Sequence, residues 1–496
     1  MNPSPLLLSN YFEGEFREVV QAEGEFPIAS PADLRDQVAR FRWSTQDVPR
    51  AIESAERALK AWRRRSPEER FAFLRAYRDA LKGHAEEIAD AIAREVGKAL
   101  WEARAEVQSM VAKVDLSLGE ALAWTTERHL PEIHGEIRYR PLGVVAVIGP
   151  FNFPGHLPNG QIVPALALGN CVVFKPSEKT PTTAYWMARC MHEAGLPKGV
   201  FNLIQGGVEV AQTLLQSPAL GGVLFTGSAA VGREISRISL DHPGRLVALE
   251  LGGKNASIVL GDCDLERTLR NLAFSAFATT GQRCTATSRL YVESSIAERV
   301  IEGLSRITRE LEVGHPKGGH IFMGPLISEA SRERWLAALS KAEQGGYQAL
   351  VPGSATSVEG HEGWYVRPAL HIAPHAAHEV EGYSDEELFA PDLALYLVHD
   401  LDEAIARSNA SRFGLVASIY TARREAFDEA SRELEVGLLH WNRPTTGASS
   451  RLPFGGLRAS GNHRPAGILA GAFCADPVAL LHADPTAAPP QWPGMR

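Results

Sequence analysis

The chain has 496 residues, of which 45% are hydrophobic and 22% are charged, and its formal net charge is -8 at pH 7. A chain of this length exceeds what one hydrophobic core usually serves, so roughly two or three domains are expected. The mild negative charge lacks the strongly basic surface that nucleic acids and anionic membranes select, so neither is expected as a partner.

The apolar runs and the cysteines predict a cytoplasmic protein. No stretch reaches the roughly 18 apolar residues that a membrane span needs. The Leu6–Leu8 run lacks the preceding basic region of a secretory signal. The five cysteines are scattered without metal-ligand spacing, which is typical of free thiols in a reducing compartment.

Residues from about 50 to 120 show a helical pattern. Leu74, Tyr77 and Leu81 recur three or four positions apart, and Pro67 stands where a first helical turn tolerates proline. This segment therefore predicts amphipathic helices.

From Val144 onwards, short β-branched runs alternate with helix-like stretches. The predicted strands are Gly143–Ile148, Cys171–Phe174, Val200–Leu203, Val223–Phe225 and Leu246–Leu249, and the predicted helices lie near 158–168, 180–194, 208–215 and 230–239. This alternation predicts a parallel sheet with helices on both faces. A second αβ region starts near Gly252, with a helix at 264–280, a strand at 288–293 and further alternation to about 440.

Polar residues follow several of these strands directly. Asn152, Lys175, Gly227 and Glu250 come at or just after the ends of the first, second, fourth and fifth predicted strands. Ligands of parallel sheets bind at the carboxyl ends of the strands. The topology therefore predicts one site that gathers these residues.

Cys284 is the candidate nucleophile. A cysteine reacts as its thiolate, and only where a substrate can reach it. Cys284 follows a helical stretch, in a turn opened by Gly281 and flanked by Arg283. The alternative is an inert core cysteine, which is what Cys171 in its apolar strand is predicted to be.

Two further side chains fit the same chemistry. Glu250 leaves a buried strand at a glycine turn, where burial would raise its pKa and suit it as a base. A helix cap or an ion pair with Lys254 is the alternative. Asn152 lies between Pro150 and Pro154. An amide held so rigidly can donate to an oxyanion, and an Asx turn is the alternative.

Two strand-to-helix segments suggest a nucleotide. The turn Phe225–Gly232 would let backbone N–H groups approach a pyrophosphate, although its glycines follow a Gly-x4-Gly spacing and could serve packing alone. Lys175 and Glu178 could bind ribose hydroxyls or form a surface salt bridge. His371, His375 and His378 cluster, but Pro374 breaks any helix that would align them, so no metal site is expected.

In this order, the motifs resemble those of the aldehyde dehydrogenase superfamily over nearly the whole chain. The matching segments are Pro150–Pro154, Lys175–Glu178, Phe225–Gly232, Glu250–Lys254, Gly281–Cys284, Glu386–Pro391 and Pro453–Gly461. The resemblance implies that Cys284 is the nucleophile and Glu250 the general base for hydrolysis. Asn152 and the backbone N–H of Cys284 would form the oxyanion hole. Acyl transfer to coenzyme A is not expected, because relatives with that activity commonly lack this glutamate.

The resemblance also implies a dinucleotide cofactor. Its binding residues would be Lys175, Ser177, Glu178, Gly227, Ser228, Gly232, Glu387 and Phe389. NAD is favoured, with NADP as the alternative, because the Glu178 carboxylate would repel a 2′-phosphate. Ala390 departs from the family, in which most members carry glycine at that position.

The implied fold is α/β, with a Rossmann-like cofactor domain, an α/β catalytic domain and a β-flap for oligomerisation. The expected boundaries are 1–123 and 143–249 for the cofactor domain, 250–448 for the catalytic domain, and 124–142 with 470–496 for the flap and tail. A homodimer or homotetramer acting on a small-molecule aldehyde is expected.

Three segments, Gly149–Gly160, His440–Pro444 and Gly461–Pro465, resemble the N-succinylglutamate 5-semialdehyde dehydrogenase branch of arginine catabolism, although Lys254 stands where that branch often has asparagine. Its product carries three carboxylates, so Arg443 and Arg464 are the candidate substrate cations. The alternatives are a glutamate or succinate semialdehyde dehydrogenase, a catalytically silent binding member, and a thiol esterase without cofactor.

Overall fold

The structure is a computed structural model that describes residues 6–374, 379–483, 485–486 and 492–495. Helices and strands alternate along most of this length, so the α/β fold class is confirmed. Among the described residues, no helix combines the length and the apolar character needed to cross a bilayer.

The α-helices of the described residues are α1 (Asp47–Trp62), α2 (Pro67–Gly83), α3 (Ala85–Val96), α4 (Leu100–Leu118), α5 (His156–Ala167), α6 (Pro181–Glu193), α7 (Val208–Gln216), α8 (Ala229–Ser239), α9 (Leu265–Phe277), α10 (Ala297–Glu310), α11 (Glu329–Gln344), α12 (Leu401–Asn409) and α13 (Arg424–Glu433).

The strands in the same residues are β1 (Leu6–Leu8), β2 (Asn10–Phe12), β3 (Glu15–Arg17), β4 (Gly24–Ser30), β5 (Asp33–Trp43), β6 (Arg128–Leu130), β7 (Gly135–Pro141), β8 (Val144–Ile148), β9 (Cys171–Lys175), β10 (Phe201–Leu203), β11 (Leu220–Thr226), β12 (Leu246–Glu250), β13 (Asn255–Val259), β14 (Thr287–Glu293), β15 (Gln348–Val351), β16 (Ser354–Ala355), β17 (Val366–Arg367), β18 (Ala369–Ile372), β19 (Asp392–Val398), β20 (Phe413–Gly414), β21 (Val416–Tyr420), β22 (Leu438–Trp441), β23 (Pro453–Phe454), β24 (Leu457–Arg458), β25 (Ala466–Gly467) and β26 (Ala475–Leu481).

Helix α2 shows how the sequence sets such boundaries. The Ser66 hydroxyl accepts a hydrogen bond from the Glu69 backbone N–H at 3.2 Å, and the Glu69 carboxylate accepts one from the Ser66 N–H at 2.8 Å. This capping box satisfies two N–H groups that a helix start leaves unpaired. Leu74, Tyr77 and Leu81 are fully buried, so the apolar periodicity predicted the core face correctly.

The first large sheet has seven strands in the order β12-β11-β8-β9-β10-β2-β3. The strands from β12 to β10 are parallel, whereas β2 pairs antiparallel with β10 and β3 pairs antiparallel with β2. Every residue of β8 and β9 is buried, which suits strands covered on both faces. The sequence predicted the parallel strands but not β2 and β3, because three residues are too few to show a period.

The second large sheet has the order β15-β18-β19-β14-β13-β21-β22, and only its edge strand β15 is antiparallel to its neighbour. Helix α9, which covers part of the segment predicted as helical at 264–280, already ends at Phe277. Thr279 and Thr280 then adopt left-handed backbone, with φ of 55° and 56°. The helix stops early because the Glu102 carboxylate accepts hydrogen bonds from the N–H and the hydroxyl of Thr279.

A three-stranded sheet in the order β26-β7-β6 joins two segments that are far apart in the chain. Strand β26 pairs antiparallel with β7 along its whole length. Apolar side chains beside these strands are exposed, including Ile133 at 57% and Leu481 at 77%. This sheet corresponds to the β-flap of the predicted fold class.

Candidate active site

Cys284 lies in the loop between α9 and β14, directly after the left-handed turn. Gly281 within that turn has φ of 68°, and any side chain there would overlap the Ala390 carbonyl. Only glycine therefore lets this loop pack against the Ala390 segment. Cys284 remains partly exposed and lines a cavity of about 320 Å³.

The surroundings of Cys284 favour the neutral thiol. Burial raises its pKa to about 12, and the negative charges of Glu387 and Glu250 act in the same direction. Arg283 opposes them only in part. A nucleophilic thiolate at this position therefore requires a base that removes the proton.

Glu250, the last residue of β12, lines the same cavity as Cys284. Its side chain is 6% exposed. Oε1 accepts a hydrogen bond from the Ala466 N–H at 3.1 Å, whereas Oε2 has no partner among the described residues. Burial raises the pKa of this carboxyl well above its ordinary value of 4.5. A carboxylate with one free oxygen and a raised pKa is a stronger base than an ordinary carboxylate, which suits it to accept a proton.

Asn152 is buried and contacts the loop of the predicted nucleophile. Its Nδ2 donates a hydrogen bond to the Gln282 carbonyl at 2.9 Å, two residues before Cys284. An amide nitrogen has two N–H donors, so one remains for a ligand. The structure thus places Cys284 and Glu250 in the lining of one cavity, with Asn152 bonded to the loop that carries Cys284.

Glu106 of α4 holds the Asn152 segment in place. One carboxylate oxygen accepts from Lys98 Nζ at 2.6 Å, and the other accepts from the N–H groups of Gly155 and His156 at 3.0 and 3.1 Å. Lys98 Nζ also donates to the Asn152 carbonyl at 2.7 Å. The side chains of Lys98 and Glu106 are fully buried, so this ion pair fixes the loop from within the protein.

Glu102, one helical turn earlier, holds the loop of Cys284. It accepts hydrogen bonds from the Arg283 guanidinium at 2.6 Å and the Thr279 hydroxyl at 2.7 Å. Lys98, Glu102 and Glu106 were not predicted from the sequence. Glu102 and Glu106 share one face of α4 and Lys98 lies just before the helix, but such a row of charges is usually solvated, so the spacing of four residues alone could not identify them.

The predicted ribose-binding residues follow β9, at the carboxyl edge of the first sheet. Lys175 is 4% exposed, and its Nζ donates to the Pro176 carbonyl at 2.5 Å. Burial lowers the pKa of Lys175 to about 8, although the negative charge of Glu178 opposes this shift. Ser177 and Glu178 are half-buried beside it. The ammonium retains donors for hydroxyl groups, which is the chemistry a ribose requires.

The predicted pyrophosphate turn lies between β11 and α8. Ser228 caps α8, and its hydroxyl accepts from the Val231 N–H at 3.3 Å. The N–H of Gly227 donates to the Glu250 carbonyl at 3.0 Å, which ties this turn to the strand that ends at the predicted base. A side chain at Gly232 would come within 2.6 Å of Leu251, so glycine lets the helix pack closely on the sheet.

Glu387 and Phe389 lie on the catalytic side of the same edge. Glu387 Oε1 accepts from the Gly253 N–H at 3.1 Å, and burial raises the Glu387 pKa to about 7. Phe389 has φ of 55°, and its ring packs edge-on against Phe151 at 5.7 Å. Both residues are therefore adjacent to segments that carry Glu250 and Asn152.

The predicted substrate arginines lie elsewhere. Arg443 and Arg464 are exposed and are not among the residues that line the cavity. Arg464 donates to the neighbouring His463 carbonyl at 3.1 Å. The cationic side chains that do line the cavity are Arg283 and Lys113.

His371 is fully buried, and its Nδ1 lies 3.3 Å from Asp392 Oδ1. The other two members of that histidine group, His375 and His378, lie outside the described residues. Within the residues that the structure describes, no group of three or more His, Cys, Asp or Glu side chains is arranged to hold a metal ion.

Comparison with known proteins gives consistent matches. The family model described as the aldehyde dehydrogenase family matches residues 19–475. An N-succinylglutamate 5-semialdehyde dehydrogenase of a Caulobacter species is 45% identical over 446 residues, covering 89% of this chain and 90% of that protein. N-succinylglutamate 5-semialdehyde dehydrogenase 2 of Caulobacter vibrioides is 43% identical over 464 residues, covering 91% and 92%. The solved structure of a 1-pyrroline-5-carboxylate dehydrogenase from Thermus with bound NAD is 28% identical, with a TM-score of 0.90 over 96% of this chain and 93% of that chain.

Proposed function

The chain belongs to the aldehyde dehydrogenase family, and we propose that it oxidises N-succinylglutamate 5-semialdehyde to N-succinylglutamate in arginine catabolism. The names of the two Caulobacter relatives support this substrate. The observation that carries the chemistry is the single cavity lined by both Cys284 and Glu250. Oxidation of another semialdehyde, such as that of glutamate or succinate, is the alternative within the same mechanism.

In the first step, the sulfur of Cys284 attacks the aldehyde carbon. Because its pKa is raised to about 12, the thiol must give up its proton as it attacks, and the free oxygen of Glu250 is positioned in the same cavity to accept it. The free N–H of Asn152 Nδ2 and the backbone N–H of Cys284 then stabilise the oxyanion.

A nicotinamide cofactor held by Lys175, Glu178 and Glu387 would supply the hydride acceptor, and oxidation of the tetrahedral adduct would leave a thioester on Cys284. Glu250 must release the proton taken from Cys284 to solvent before it removes a proton from a water molecule. The resulting hydroxide attacks the thioester carbon, the C–S bond breaks, and the leaving thiolate takes the proton back from Glu250. The carboxylic acid leaves and the Cys284 thiol is restored. Glu250 thus has a role in both half-reactions, which its unpaired Oε2 supports.

The residues at the sheet edge fit a dinucleotide. Lys175 retains unused donors for ribose hydroxyls, and the N-terminus of α8 presents backbone N–H groups to a pyrophosphate. The half-buried Glu178 carboxylate would repel a 2′-phosphate, so NAD is proposed over NADP. The solved relative with bound NAD supports this class of cofactor.

The same proposal includes the domain boundaries and the assembly. The cofactor domain comprises 1–123 and 143–249, the catalytic domain 250–448, and the flap and tail 124–142 and 470–496. The sheet of β26, β7 and β6 supports a homodimer or homotetramer, because its edge strands leave backbone groups free to pair with another copy. The cytoplasmic localisation predicted from the five cysteines is retained, since all five are unpaired.

Formation of NADH tests the proposed function. Wild-type protein should prefer N-succinylglutamate 5-semialdehyde over glutamate and succinate semialdehydes, and Cys284→Ala should abolish turnover of each. Turnover of a different semialdehyde alone would keep the chemistry and replace the substrate. No turnover of any aldehyde, with NAD binding intact, would instead indicate a catalytically silent member.

A further inference from the structure

Lys113 is a buried cation that the proposed mechanism does not use, and it lies in the wall of the active-site cavity. It lies in the last two turns of α4, is 4% exposed, and lines the same cavity as Cys284 and Glu250. Its aliphatic stem passes over Gly160 of α5, where an added Cβ would come within 3.3 Å of Lys113 Cε. A larger residue at position 160 would therefore press on the lysine stem.

The position of Lys113 is fixed from both sides. Asn159, next to Gly160, donates through Nδ2 to the Met110 carbonyl of α4 at 2.9 Å and accepts from the Tyr77 hydroxyl at 3.0 Å. These bonds set the register of α4 against α5. The lysine stem therefore reaches the cavity from a rigid helix pair rather than from a mobile loop.

The Lys113 ammonium has no anionic partner in the described part of the chain. Its one hydrogen bond goes to the Gly467 carbonyl, at 2.8 Å, and none of the carboxylates described forms an ion pair with it. Burial alone accounts for the lowering of its pKa to about 8. A buried charge without a counter-charge is unfavourable, so this site favours a ligand that brings a negative charge.

The other basic groups nearby are already accounted for. Arg283, which also lines the cavity, is paired with Glu102 at 2.6 Å. His156 is kept neutral, because burial lowers its pKa to about 4. Among the described residues that line this cavity, Lys113 is therefore the cation whose charge is not neutralised by a carboxylate.

We propose that Lys113 binds a carboxylate of the substrate and so selects anionic aldehydes. The inference rests on the proposed function and sharpens it, since N-succinylglutamate 5-semialdehyde carries two carboxylates and an amide. Gln161, next to Gly160, lines the same wall, and its Oε1 has no partner among the described residues. That oxygen can accept from the amide N–H of such a substrate.

Lys113 and the proposed base Glu250 are bonded to neighbouring residues. The Gly467 carbonyl that it contacts belongs to the residue after Ala466, whose N–H holds Glu250 Oε1. The carboxylate-binding group and the proposed base are thus attached to adjacent residues of one short strand, β25. A substrate carboxylate bound by Lys113 leaves the rest of the cavity for the chain that leads to the aldehyde.

The test compares succinate semialdehyde with butanal, because these aldehydes have the same carbon chain and differ in the carboxylate. Wild-type protein should prefer succinate semialdehyde. Lys113→Gln removes the charge but keeps a donor for the Gly467 carbonyl. It should raise the KM for succinate semialdehyde by about 10- to 100-fold relative to its effect on butanal, the range expected for loss of a hydrogen bond to a charged group. The relative kcat values should change far less than KM.

Three further variants separate charge from structure. Lys113→Met should show the same selective rise in KM, and Lys113→Arg should restore most of the preference. Lys60→Met, at an exposed lysine of α1, should behave as wild type. Binding of N-succinylglutamate, measured by calorimetry in the absence of turnover, should weaken in Lys113→Gln in parallel with KM.

Two outcomes would overturn the inference. One is a wild-type protein that uses butanal as well as succinate semialdehyde, a result that does not depend on any variant folding. The other is a Lys113→Gln protein that loses both substrates equally. Failure to oxidise N-succinylglutamate 5-semialdehyde, with the anionic preference intact, would remove the proposed substrate and leave the role of Lys113 standing.

Discussion

Two groups of charged side chains lie in or beside the active-site cavity, and they differ in whether their hydrogen-bonding capacity is satisfied. At the start of the helix, Glu102 and Glu106 each accept several hydrogen bonds, and Lys98 and Arg283 neutralise them. In the second group, by contrast, Lys113 near the end of α4 has no counter-ion and Glu250 Oε2 at the end of β12 has no partner among the described residues.

This difference separates residues that hold the loops of the site in place from residues that are available for substrate binding or proton transfer. A buried charge with every bond satisfied holds neighbouring loops in one geometry, and its removal leaves an uncompensated partner. A buried charge with unused capacity is a candidate for substrate binding or proton transfer. One helix thus holds the loops of Asn152 and Cys284 at its first turns and presents a binding group at its last turns.

The largest effect is expected at the unsatisfied carboxyl. Glu250→Gln keeps the shape and an acceptor for the Ala466 N–H but cannot take a proton. Steady-state turnover should fall by about 10²- to 10⁴-fold, the contribution typical of a general base. Rapid-mixing measurement of NADH, with trapping of an acyl group on Cys284, would show which half-reaction is lost. Turnover within a few-fold of wild type would show that Glu250 is not the base.

A satisfied carboxylate should instead affect stability. Glu106→Gln leaves the Lys98 ammonium fully buried beside a neutral amide, which should lower the free energy of unfolding by about 3 to 5 kcal/mol. Denaturation in urea measures this change. Arg104→Ala on the same helix α4, which breaks an exposed ion pair with Glu86 of α3, is the matched control and should cost at most about 1 kcal/mol. Equal effects of the two substitutions would contradict the distinction between the groups.

The pH dependence should follow the proposed base. Since the pKa of Glu250 is raised well above 4.5, the carboxylate that accepts the proton is lost as pH falls through that higher value. Below it, kcat/KM should drop by about tenfold per pH unit. Butanal is the substrate to use, because it does not titrate. A rate that stayed constant down to pH 4.5 would show that no group with a raised pKa limits the reaction.

The sequence predicted several residues of the site itself but not the buried charges that hold them in place. Glu250, Asn152 and Lys175 were recognisable because parallel strands bring their carboxyl ends to one edge. Strands β8 and β9 are buried as their β-branched residues predict, and β12 is buried over its last three residues. The fold class and family followed from the same motifs.

The buried charges that hold these residues in place could not be predicted, because they act through contacts between residues that are far apart in the chain. Lys98 and Glu106 belong to a row of charges spaced four residues apart, which in a sequence usually indicates a solvated surface, yet both side chains are fully buried. The early end of α9 similarly depends on Glu102, which lies 177 residues before Thr279. That Lys113 has no anionic partner in the described part of the chain is equally invisible in the sequence.

The smallest effect is expected at Arg443, the cation that the sequence favoured for the substrate. Its side chain is exposed and is not among the residues lining the cavity. An exposed charge of this kind should contribute little, so Arg443→Met should change the KM for N-succinylglutamate 5-semialdehyde by at most about fivefold. Measured beside Lys113→Gln on the same substrate, it compares an exposed cation with a buried one. A larger rise in KM for Arg443→Met would place one substrate carboxylate at the surface. If Lys113→Gln at the same time left KM unchanged, the charge of Lys113 would serve the packing of α4 rather than recognition.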